Sequence, residues 1–83
     1  MPYRGKINWV GDFGIFVNFE RSGIKEEGFL HFSRLPGVSN ESDFNKKRSE
    51  GLYQVGDGIE VELSSCDRRG RISLSCTRYP VND

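Results

Sequence analysis

An excess of charge of either sign is missing from this 83-residue chain: twelve basic side chains stand against twelve acidic ones, for a net charge of zero. That balance gives no long-range steering toward a polyanion, so any affinity for nucleic acid has to come from a local patch. Long apolar runs are also absent. No segment approaches the length of a membrane span, and the opening Met1-Pro2-Tyr3-Arg4 lacks the apolar stretch of a secretory signal. A cytoplasmic protein with no membrane association is therefore expected. Cysteine is scarce, with Cys66 and Cys76 alone, and histidine scarcer still, with His31. The two thiols fall on adjacent strands of an expected hairpin, about 16 Å out of register at strand rise, which is beyond disulfide reach. With no Cys-x-x-Cys pair and no second histidine, neither a zinc site nor any other metal or cofactor is expected. Cys66 with His31 is the single thiol and imidazole combination worth naming. Nothing at that hairpin end depresses a thiol pKa or builds an oxyanion site, so an enzyme with a small-molecule substrate is not expected.

What is present is a small amount of apolar sequence arranged in alternation. With 35% apolar residues the chain can form one domain, residues 1–83, around one modest core. Five segments rich in β-branched and aromatic residues, punctuated by glycine, read as strands. The first runs from about Arg4 to Val10 and the second from about Gly14 to Glu20, where Ile15, Val17 and Phe19 point to the core and Phe16 and Asn18 away from it. Gly23 and the charged Lys25-Glu26-Glu27 mark a hairpin loop before a third strand from Gly28 to Phe32, with Leu30 and Phe32 on one face and Phe29 and His31 on the other. A fourth strand, Ile59 to Cys66, places Ile59, Val61 and Leu63 inward. The fifth, Arg71 to Cys76, places Ile72 and Leu74 inward and Arg71, Ser73 and Ser75 outward. Asp67-Arg68-Arg69-Gly70 turns the chain between these two, with Gly70 suited to a left-handed position.

Residues 34–55 are too many for a bare loop in so small a domain, so local structure is expected there. Ser33 is a candidate cap for one short turn, and Asn40 or Ser42 for another that carries Phe44 and Lys46-Lys47-Arg48. Leu52, Tyr53 and Val55 are expected to fasten the end of this excursion to the rest. Five short strands with a long excursion after the third match an all-β, five-stranded Greek-key barrel of the oligonucleotide-binding (OB) type better than a sandwich of about seven strands.

Outward aromatic residues on such a barrel are candidate base-stacking platforms, because stacking on a nucleobase is worth about 1–3 kcal/mol and tolerates any base. Phe16 is placed outward by strict alternation. Phe13 turns inward by the same rule unless a bend near Gly14 brings it round. His31 lies outward across from the second strand, where an imidazole can stack or donate to a phosphate or base. Phe29 shares its side, either extending the platform or packing under a loop. Arg71 can pair with a phosphate or lie flat against a base. Asp67 fits a turn-fixing role as well as a contact to a 2′-hydroxyl. Arg68 and Arg69 at the turn, and Lys46 and Lys47 in the excursion, are solvated charges or additional phosphate contacts. Trp9 reads as inward if Ile7 is inward, unless the first strand bulges before Val10.

Taken in order, Gly5, Asp12 to Val17, Glu27 to Ser33, Gly56 to Val61 and Asp67 to Ser75 resemble the motifs of the S1 RNA-binding domain, the repeat named for a ribosomal protein. The resemblance covers nearly the whole chain. It implies a non-catalytic module for single-stranded RNA with low sequence specificity, serving in translation, RNA decay or transcription beside the ribosome or RNA-processing proteins. It assigns the RNA face to Phe13, Phe16, His31, Asp67 and Arg71, and favours the bend at Phe13. The excursion after the third strand looks longer than that family's. The rival reading is a protein-interaction module that docks the same aromatic face on a protein partner. Glu20, Glu26, Glu27, Glu60 and Glu62 would repel RNA if they border that face, which depends on strand order.

Overall fold

The computed structural model describes residues 2–81. Its tightest local signal is Ser22-Gly23, where both residues adopt positive φ, 52° and 79°. A two-residue turn of this kind has the twist that antiparallel strands require. It folds β2 (Gly14–Arg21) directly onto β3 (Ile24–His31), in register from Arg21 opposite Ile24 to Gly14 opposite His31. The expected loop over Lys25-Glu26-Glu27 is thus corrected: these residues are strand, opposite Glu20, Phe19 and Asn18 respectively. Arg21 Nε meets Glu26 Oε2 at 2.7 Å, which holds the tight turn closed. At its other end β3 stops at His31, and Phe32 begins a single 3-10 turn, Phe32–Arg34, rather than ending the strand. Its cap is His31, whose ring accepts from Ser33 N–H, and not Ser33.

β1 (Tyr3–Val10) pairs antiparallel with β2 on one edge and with β4 (Gly58–Cys66) on the other. β5 (Ile72–Arg78) runs antiparallel to β4 and meets β3 in parallel where Phe29 faces Ser73. The order β1-β2-β3-β5-β4 closes on itself, a five-stranded barrel of the expected OB type with one helix between β3 and β4. Closure gives every strand two neighbours, although the outer half of β4 beyond Val61 pairs with β5 alone. The interior is filled from every strand: Ile7, Ile15, Val17, Leu30, Ile59, Val61 and Leu74 are all at most 1% exposed. Leu63 departs from expectation and is exposed, because β4 is irregular between Leu63 and Ser65 and its distal half runs out past the core as the arm of a hairpin.

α1 (Glu41–Ser49) starts where Asn40 Oδ1 accepts from Asp43 N–H at 2.8 Å, as Asn40 was expected to permit. It enters the core through one side chain, Phe44, fully buried between Phe32 and Tyr53. Of the three residues expected to fasten the excursion only Tyr53 does so; Leu52 and Val55 are exposed. Tyr53 has a positive φ of 56°, and its N–H donates to the Tyr79 hydroxyl at 2.7 Å. No helix among the described residues is long and apolar enough to cross a membrane.

Candidate nucleic-acid interface

The outward face of β1, β2 and β3 carries a row of rings. Phe16 is the hub: β-pairing sets it opposite Trp9 on one side and Phe29 on the other. Ring centroids lie 5.5 Å apart for Trp9–Phe16, 5.2 Å for Phe16–Phe29 and 6.3 Å for Phe29–His31, in tilted or edge-on arrangements that aromatic quadrupoles favour. Two glycines make the row possible. A Cβ on Gly14 would lie 2.3 Å from the Leu30 carbonyl oxygen and 2.8 Å from Phe29 Cζ. A Cβ on Gly11 would lie 2.1 Å from the Trp9 indole. Both rings therefore rest on bare backbone.

Trp9 faces out, through the bulge before Val10 that the sequence left open against the inward reading. The β1–β2 register slips between Ile7 and Trp9, so Asn8 is an extra residue and Trp9 shares the side of Phe16, 51% exposed. A signal was available: apolar Ile7 and Val10, an odd number of residues apart, cannot both face the core of a regular strand. Phe13 also faces out, 59% exposed, at the tip of a tight loop closed by Gly11 N–H donating to the Gly14 carbonyl. Its own carbonyl accepts from Phe32 N–H at 3.0 Å, which ties the loop to the end of β3 beside His31.

His31 Nδ1 accepts from Ser33 N–H at 3.2 Å and lies 2.8 Å from Ser33 Oγ. Acceptance at Nδ1 puts the neutral ring's proton on Nε2. The ring also stacks on Phe32 at 4.2 Å, which continues inward to Phe44, Tyr53 and Tyr79. His31 thus stands where the surface row meets the core.

Across the β3–β5 seam a groove is lined by Phe16, Phe29, Asp67, Arg71 and Ser73. Asp67 organises the turn at its rim: Oδ1 accepts from Arg69 N–H at 2.9 Å and Arg71 N–H at 2.8 Å, and Oδ2 lies 3.3 Å from Arg71 Nε. Gly70 closes the turn with φ of 80°, as the left-handed position demands. The carboxylate is thereby engaged by its own turn and orients the Arg71 guanidinium, which stays exposed. Arg68 and Arg69 project from the same turn into solvent.

Lys46 and Lys47 lie on α1, and neither lines the groove. Lys47 pairs with Asp43 at 2.9 Å along the helix, and that contact, with the Ser39 N–H bond, holds the Asp43 carboxyl below its ordinary value. α1 approaches Phe13 through Asn45 and Arg48 instead, which reach the Asp12 carbonyl at 3.3 Å and its carboxylate at 3.5 Å. Arg34, passed over in the sequence, donates to Ser75 Oγ at 3.2 Å on the outward side of β5. No periodic signal marks it, because it leaves a 3-10 turn.

Strand order also answers the question of the glutamates. β4 is not a neighbour of β2, and neither Glu60 nor Glu62 lines the groove that holds Phe16; Glu60 accepts from Thr77 Oγ1 at 2.9 Å. Glu26 is held by Arg21, and Glu27 alone borders the groove, where Asn8 Nδ2 donates to it at 2.7 Å. Cys76 is buried, and burial pushes its thiol up to about 11, while Cys66 is exposed; both are free. Among the described residues no group of His, Cys, Asp or Glu is placed to hold a metal ion.

Comparison with known proteins agrees with this geometry. Polyribonucleotide nucleotidyltransferase of Granulibacter bethesdensis is 36% identical over 73 residues, covering 88% of this chain and 9% of that protein. The enzyme of the same name from Halothermothrix orenii is 33% identical over 76 residues, covering 92% of this chain and 10% of that protein. That from Shouchella clausii is 32% identical over 73 residues, with 88% and 9% covered. The chain spans about a tenth of the length of these relatives. The model of the S1 RNA binding domain matches residues 2–77, and with nearly the whole chain so matched, this protein belongs to the S1 RNA-binding domain family.

Proposed function

We propose that this domain is a non-catalytic holder of single-stranded RNA with little sequence preference, its bases stacking on Phe16, Phe13 and His31 while Arg71 contacts backbone or base edges. The observation that carries the reading is the ring row running into a groove whose rim presents an exposed, carboxylate-oriented arginine. Stacking at about 1–3 kcal/mol per base suits any sequence. Asp67 acts through Arg71 and the turn, and Phe29 widens the platform. With no net charge, one domain binds at micromolar strength or weaker, on the order of 8 kcal/mol. Tethering to other RNA-binding parts would raise this about 10²–10⁴-fold. The name of the relatives, polyribonucleotide nucleotidyltransferase, supports a place in RNA metabolism.

An amide-resolved NMR titration with a short single-stranded RNA, at low and moderate salt, tests the reading. Shifts centred on Phe16, His31 and Arg71 that weaken with salt are expected. Absence of shifts at low salt would overturn it and leave the aromatic face to a protein partner.

A further inference from the structure

We infer that Trp9 forms an additional base-stacking subsite, so that the bound strand continues beyond Phe16 across β1. The inference rests on the RNA-binding reading above and extends it. Three features place the indole there. The register slip at Asn8 turns Trp9 to the face of Phe16, when regular alternation would have buried it among the apolar residues of β1. Gly11 leaves free the space that the ring occupies, with any Cβ there overlapping it. The ring is held against Phe16 at 5.5 Å, yet 51% of the residue is open to solvent.

A large aromatic held in one position but half uncovered has little to gain from core burial and open ring surface to offer. Side-by-side contact with Phe16 makes the two rings adjacent steps of one platform, on which successive bases can stack. Lys6 supplies a cation on the same exposed face, opposite Asn18, and Asn8 Nδ2 donates to the Glu27 carboxylate at 2.7 Å, which fixes its position. The strand would run from the Arg71 groove over Phe29 and Phe16 to Trp9, spanning three strands of the barrel.

Trp9 is the only tryptophan, so its emission reports the subsite directly. The test follows Trp9 fluorescence and the anisotropy of a labelled oligouridylate of about ten nucleotides, within the span of one OB-fold. Binding should quench Trp9 in step with the anisotropy rise. Trp9→Ala should weaken binding about 5- to 150-fold, and Trp9→Phe should recover part of that loss. A trinucleotide covering only part of the row should be less sensitive to either substitution. Should anisotropy rise with Trp9 emission unchanged and Trp9→Ala binding as tightly, the subsite is refuted while RNA binding stands. If neither signal moves at low salt, both readings fall. A variant that does not fold leaves the wild-type quenching experiment decisive.

Discussion

At Gly14 a single methyl group is enough to disturb the binding face. The added carbon would press on the Leu30 carbonyl and the edge of the Phe29 ring, and the backbone cannot yield without opening the β2–β3 ladder. Gly14→Ala should cost about 1–3 kcal/mol, seen as a lower urea midpoint at unchanged slope; a midpoint equal to wild type would show that the strands shift freely. Asp67 can be divided into its two jobs. Asp67→Asn keeps an Oδ1 acceptor for the two turn amides but removes the charge facing Arg71, whereas Asp67→Ala removes both. Stability should fall by about 1 kcal/mol in the alanine variant and hardly at all in the asparagine one. RNA affinity should drop in both, and an asparagine variant with intact affinity would confine Asp67 to the turn. The outward placement of Phe16 and His31 was legible in the sequence because alternation alone decides which way a strand side chain points, whereas Arg71, expected to open the fifth strand, lies in the turn before β5. Trp9 was left between core and surface until the bulge at Asn8 decided it, and Arg34 was passed over because it leaves a 3-10 turn, where period-two counting has no force.

The elements themselves were readable wherever a strand stays regular. The Arg4 to Val10 and Gly14 to Glu20 segments match β1 and β2 closely, and Gly70 closes the last hairpin as its conformation requires. One misreading came from local charge that suggested a loop. Lys25-Glu26-Glu27 is strand because cross-strand partners and a two-residue turn outweigh composition. A short turn carrying Phe44, capped by Asn40 or Ser42, was expected where the chain forms α1 from Asn40, and the helix's hold on the barrel is narrow enough to test. Asn40→Ala should remove about 1 kcal/mol by stripping the cap. Phe44→Ala should cost about 3–5 kcal/mol, a large part of the stability of so small a domain, and should loosen Phe32 and Tyr53 in the same thermal transition. If Phe44→Ala melts like wild type, the helix is an appendage and the ring series ends at Phe32.

For the whole molecule, stability at alkaline pH draws on two buried protons, that of the Cys76 thiol, pushed up to about 11, and that of the Tyr79 phenol. Burial, and after it the hydrogen bond to Asp57, push Tyr79 from near 10 up to about 12. The folded state therefore holds that proton more tightly than the unfolded chain. Its contribution is complete below pH 10 and is lost as pH rises from 10 toward 12. Tyr79→Phe should flatten stability across that window, measured by denaturant midpoints at stepped pH; an unchanged slope would assign the alkaline loss elsewhere. The barrel as a whole was legible from five strands and one excursion, but its strand order was not, because strand order is a long-range property that local periodicity does not carry. Closure has a consequence in time. β3 and β5 meet through one residue pair, Phe29 with Ser73, while their other neighbours are joined by extended antiparallel ladders. The groove lies across that least-bonded seam, so brief local openings should be most frequent where RNA is to lie. A strand bridging Phe16 to Arg71 would act as a clasp across the seam, slowing amide hydrogen exchange in β3 and β5 more than in β1 and β4.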